Sequence, residues 1–83
     1  MRSRKRTGLL VYDRMDFECW CFDEGDAKES LHCGEAIAIR LADQYLAGRI
    51  EMDRSGNWII IFSGQDQTPF ILKQDYRYPA RMK

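Results

Sequence analysis

The residues best suited to chemistry in this chain are its thiols and its single histidine. Cys19 and Cys21 lie two apart, so an extended strand turns both to one face, and the neighbours His32 and Cys33 supply two more donors. Four such nitrogen and sulfur atoms could make a tetrahedral zinc site. The spacing speaks against it: Cys-x-Cys is tighter than a zinc motif, and the side chains of His32 and Cys33 diverge on extended backbone. Small buried hydrophobes in a reducing compartment are the better reading of these cysteines. Three is also an odd number, which argues against a disulfide framework. A thiol nucleophile needs a base within hydrogen-bond reach, and the adjacency of His32 and Cys33 is not the arrangement of a dyad. Carboxylates between Asp23 and Glu29 could pair for acid–base work, but such a run reads first as a charged loop. The sequence holds no Gly-rich phosphate loop, serine elbow or metalloprotease motif. The expectation is a non-enzyme with no catalytic, cofactor or metal site.

Charge says more. Thirteen basic and 13 acidic residues give a formal net charge of zero and a pI near 6.6, yet the signs are segregated. Arg2, Arg4, Lys5 and Arg6 open the chain with no acid among them. Asp13, Asp16, Glu18, Asp23, Glu24, Asp26, Glu29 and Glu35 then face only Arg14 and Lys28, and the rest of the chain is mildly basic. Segregation of this kind bears on partner encounter, not on fold. Its plainest meaning is a solvated surface with a disordered tail. The sharper meaning is an acidic band, carried by Asp23, Glu24, Asp26 and Glu29, that occupies a Lys/Arg-lined groove on a protein partner in place of phosphate. The alternative is direct nucleic-acid binding: the basic tail helped by Lys73, Arg77, Arg81 and Lys83, with Tyr76 and Tyr78 as stacking faces. The near-neutral pI weighs against that alternative.

Elements must position these groups. At 83 residues there is room for one small domain, taken as 8–83 behind a flexible basic tail at 1–7. Folding buries roughly 64% of the unfolded surface, so the core is thin. No apolar run approaches a membrane span, and the run after the basic tail is too short for a signal peptide, which points to the cytoplasm. Gly8–Asp13 and Phe17–Phe22, separated by Arg14-Met15-Asp16, read as a hairpin, with Phe17, Cys19 and Cys21 on one face and Glu18, Trp20 and Phe22 on the other. Residues 23–34 read as a loop with a helical turn around Ala27–Ser30. Residues 35–47 satisfy a helical repeat (Ile37, Leu41, Tyr45) and a strand alternation (Ile37, Ile39, Leu41) equally, and periodicity leaves the choice open. Arg49–Met52 and Trp58–Phe62 flank the Asp53–Asn57 turn, the second run being the expected central buried strand. A loop at 65–69, a short strand Phe70–Leu72 and an edge strand Tyr76–Met82, marked as an edge by Pro79, complete the chain.

Leu31-His32-Cys33-Gly34-Glu35, followed by Arg49-Ile50-Glu51-Met52 and Trp58, resembles a small family of uncharacterised proteins common in clostridial and related Gram-positive genomes, often within mobile elements. Gly8–Asp13 is similar to that family's N-terminal hairpin, and the likeness spans roughly residues 8–64. Cys19-Trp20-Cys21 and the long basic start depart from it. The resemblance implies paired strands at Ala36–Arg40 and Tyr45–Met52 around a turn at Asp43-Gln44, with no helix. Consecutive hairpins of this kind imply an all-β fold, a small antiparallel β-barrel of SH3-like type. The function expected is a protein-binding inhibitor or anti-defence factor of a mobile element, of anti-CRISPR type, with no membrane partner.

Overall fold

Runs of β-forming residues, alternating as in Ala36–Leu41 or continuous as in Trp58–Phe62, are realised as strands in the computed structural model, which describes residues 6–64 and 69–82. Eight strands form: β1 (Arg6–Asp13), β2 (Cys19–Asp23), β3 (Lys28–Ser30), β4 (Ala36–Leu41), β5 (Gln44–Met52), β6 (Trp58–Phe62), β7 (Phe70–Ile71) and β8 (Tyr78–Met82). They make a single antiparallel sheet in the order β3-β2-β1-β8-β4-β5-β6-β7, with no helix among the described residues.

Several expectations shift. β1 begins at Arg6, so Arg6 and Thr7 belong to the sheet rather than to a tail, while residues 1–5 and 83 lie outside the described residues, as does most of the expected 65–69 loop. Phe17 and Glu18 are turn residues, because Asp13 folds the chain first: its Oδ1 accepts the N–H groups of Met15 at 2.9 Å and Asp16 at 3.1 Å. The expected helical turn near Ala27–Ser30 is instead edge strand β3. The open choice over 35–47 resolves as a hairpin whose two-residue turn is Ala42-Asp43, one position before the turn implied by the resemblance. β6 is not central but next to the edge strand β7.

The last strand carries the largest correction. β8 is no edge: Leu9 opposes Pro79 and Leu10 opposes Tyr78 on one side, while Ile39 opposes Ala80 on the other. Pro79 is tolerated because the β4 ladder stops at Ala80, the residue after the proline that has no N–H to give. β8 thus joins an N-terminal half (β1–β3) to a C-terminal half (β4–β7).

Directly opposed residues in a ladder share a face. The registers place Leu10, Trp20, Phe22, Tyr78, Ala80, Ile37, Ile39, Ile50 and Ile60 on one face, and all of them are buried together with Leu31 and Leu72. A flat sheet would hold β7 and β8, four steps apart, at about 19 Å. The Phe70 and Tyr78 ring centroids are only 5.8 Å apart, and the Lys73 N–H donates to the Tyr78 hydroxyl at 3.0 Å. The sheet is therefore rolled around its apolar face. Gly48 permits part of the roll, since a Cβ there would come within 2.6 Å of the Ile61 carbonyl oxygen. The roll does not become a closed barrel: among the described residues no ladder joins β3 to β7, and these two strands, of three and two residues, are the sheet's edges. Their shortness limits the backbone left open to other chains.

Candidate functional site

The acidic residues singled out from sequence fall on one hairpin but not on one face of it: Glu29 opposes the inward Phe22, whereas Asp23 opposes the outward Lys28. Asp23 closes β2, and its Oδ1 accepts the Gly25 N–H at 2.8 Å. The Glu24 N–H donates to the Ala27 carbonyl at 2.9 Å, which makes residues 24–27 a tight turn and leaves Asp26 at its exposed tip. Glu29 follows on β3, opposite Phe22. All four carboxylates sit on one hairpin at one edge of the sheet.

Arg6 tempers this cluster. Its Nη2 donates to Glu29 Oε1 at 3.1 Å, its Nε lies 3.8 Å from Glu24, and its guanidinium stands 5.3 Å from the centre of the Phe22 ring. Lys28 turns to the outer face of the same hairpin and sits 3.5 Å from the buried Asp13 carboxylate. Asp23 and Asp26 have no ion-pair partner among the described residues. The Asp13 carboxyl is held below its ordinary range, chiefly by the Asp16 N–H, with the Met15 N–H and the Lys28 ammonium adding to the effect against the opposing effect of burial.

The thiols do not meet. Cys21 is buried, Cys19 half-buried, and Cys33 is exposed on a separate turn beside an exposed His32. Burial, with Cys19 as neighbour, pushes the Cys21 thiol up to about 12. No group of three or more His, Cys, Asp or Glu is arranged to hold a metal among the described residues.

What the Leu31–Glu35 motif does is structural. The Glu35 carboxylate accepts the His32 N–H at 2.9 Å, the Glu35 N–H donates to the His32 carbonyl at 3.2 Å, and Gly34 takes φ +94°, a conformation suited to glycine. The turn is then pinned to β5, where the Gly34 N–H reaches the Ile50 carbonyl at 2.7 Å and the Ile50 N–H reaches the Glu35 carbonyl at 3.0 Å. The two motifs read from sequence are thus one docking of a turn on a strand, with Leu31 and Ile50 in the core.

A family model described as a domain of unknown function, DUF5348, matches residues 8–81. The chain belongs to the DUF5348 family. No curated protein and no solved structure matches it. In this DUF5348 domain the match takes in β2 to β7 whole, β1 from Gly8 and β8 to Arg81, so Arg6 lies just outside it.

The groups considered for nucleic acid are dispersed. Tyr78 is buried with its hydroxyl engaged, so it offers no stacking face, whereas Tyr76 is exposed with the Lys73 ammonium 5.4 Å from its ring centre. Arg77 is exposed, and Arg81 lies over the Tyr45 ring at 3.9 Å on the outer face of the sheet. Arg2, Arg4, Lys5 and Lys83 lie outside the described residues.

Two features went unread in the sequence. One is a groove of about 560 Å³ on the outer face, lined by Ala36, Ala38, Ala47, Tyr45 and Arg81 among others. Its signal was present in the alanines that alternate with Ile37 and Ile39. The other is the β1–β2 tip, where Met15 is 87% and Phe17 49% exposed. Phe17, expected within the second strand of the hairpin, lies in this turn.

Proposed function

We propose that this DUF5348 domain is a non-catalytic, protein-binding module that meets its partner with the β2–β3 hairpin. One observation carries the reading: Asp23, Glu24, Asp26 and Glu29 gather within seven residues at an exposed edge, balanced mainly by Arg6. Carboxylates presented from a single hairpin complement a Lys/Arg-lined groove that otherwise holds phosphates. The partner class is therefore a nucleic-acid-binding protein, and the role is that of a small inhibitor or anti-defence factor of a mobile element, of anti-CRISPR type, acting in the cytoplasm. The mobile-element resemblance supports the role. We read the rolled sheet as an open relative of the SH3-like barrel.

The test is affinity capture from host lysate, with and without nuclease, followed by mass spectrometry. A protein that remains after nuclease, and whose affinity falls at least ~10-fold at low salt with Asp26→Lys/Glu29→Lys while Arg54→Asp has no effect, supports the proposal. Partners that vanish with nuclease, or an affinity blind to the acidic reversal, overturn it.

A further inference from the structure

The outer-face groove and the β1–β2 tip are complementary in shape and in chemistry. The solvent side of an antiparallel sheet is ordinarily polar. Here Ala36, Ala38 and Ala47 are neighbours across the β4–β5 ladder and make a floor that long side chains do not fill. At the rim, the Arg81 guanidinium stands 3.9 Å from the centre of the Tyr45 ring and has no carboxylate partner among the described residues, while Glu35, which also lines the groove, has its carboxylate on the His32 N–H at 2.9 Å. Arg49, by contrast, is tied to Glu51 at 2.9 Å. The groove suits an apolar segment that also carries carboxylates. The chain has such a segment in Met15-Asp16-Phe17-Glu18, two large exposed apolar side chains interleaved with two acids. Asp16 and Glu18 also have no ion-pair partner among the described residues.

A chain cannot fill its own groove. Thr7 and Arg6, at the start of β1, oppose Arg81 and Met82 beside the groove, whereas the tip lies beyond Asp13 at the far end of that strand, about 20 Å away. We infer that the Met15–Glu18 tip of one copy docks into the alanine-floored groove of a second copy, with a tip carboxylate against Arg81. This contact is separate from the acidic hairpin, so it stands or falls independently of the proposed function. Its small area makes it weak, with self-association between about 10 µM and 1 mM.

Sedimentation velocity on the full chain over that range tests the contact. The expected result is a weight-average mass that rises above 9.8 kDa with concentration and rises less as salt is added. Met15→Ser/Phe17→Ser removes the tip, and Ala47→Arg, or Ala36→Arg if the first variant melts early, blocks the groove. Each remains a monomer alone, with a wild-type melting temperature. Mixed in equal amounts, a tip variant and a groove variant form a dimer and nothing larger, because each retains the half the other lacks. A wild type that is monomeric throughout, a variant that still associates, or a mixture that remains monomeric would each overturn the inference.

Discussion

A cysteine's reactivity is set by where its strand leaves it. Cys21 is fully buried on β2 and its thiol is pushed up to about 12 by burial and by Cys19, so it stays protonated and shielded. Cys33 sits in solvent on the Gly34 turn. Iodoacetamide on the native protein at pH 8 is expected to label Cys33 first and to spare Cys21 until denaturant is added, with site occupancy read by peptide mass spectrometry. Early labelling of Cys21 would mean that β2 opens readily. Burial of Cys21 followed from the ordinary habits of free cysteine. The separation of Cys33 from it did not, because that depends on the Leu31–Glu35 turn docking on Ile50 fifteen positions beyond Glu35.

Among the elements, the β4–β5 hairpin holds strain at a known point. Ala42 has φ +59° at the first of its two turn positions, the pattern of a type II′ turn, which favours glycine. Left-handed backbone costs an alanine about 1–2 kcal/mol, part of which returns as extra freedom of glycine in the unfolded chain. Ala42→Gly is therefore expected to stabilise the protein by about 0.5–1 kcal/mol in urea unfolding, and no gain would contradict the turn geometry. Strands with a strong apolar pattern were legible in the sequence: β6 from the continuous run Trp58–Phe62, and β2 from the alternation that puts Trp20 and Phe22 on one face. β3 was not, because Lys28-Glu29-Ser30 carries no apolar pattern and becomes a strand only through pairing with β2. Nor was the place of β8, since local pattern is silent about which distant strands will flank it. The four acids were visible one by one, but Arg6 as their counter-charge was hidden by its reading as tail.

For the molecule as a whole, acid is the informative stress. Each half of the sheet has a turn closed by an ionised aspartate: Asp13 between β1 and β2, and Asp53 between β5 and β6. Both are held below the ordinary range, Asp13 chiefly by the Asp16 N–H and Asp53 chiefly by the Asn57 N–H at 2.8 Å. A carboxyl whose folded pKa is depressed stabilises fully above its unfolded value of about 3.9, and that contribution fades as pH falls through the folded pKa. The melting temperature should be insensitive to these two groups above about pH 5 and should drop below about pH 4. Asp13→Asn/Asp53→Asn, with a lower melting temperature at neutral pH, should show a shallower acid slope than wild type. Parallel slopes would assign acid sensitivity to other carboxyls.

The position of β8 has a consequence for synthesis. Within this chain the strand that joins the two halves is the last of the eight to leave the ribosome, and Arg6 waits for Met82, seventy-six residues later. The β1–β2 and β4–β5 hairpins can form locally as they emerge, but they have no shared wall until translation has passed Tyr78. Until then their apolar faces, Leu10 and Trp20 on one side and Ile39 and Ile50 on the other, stand open together. Between the completion of β5 at Met52 and the synthesis of β8 from Tyr78, the nascent chain therefore holds two half-sheets whose apolar faces are open to other chains.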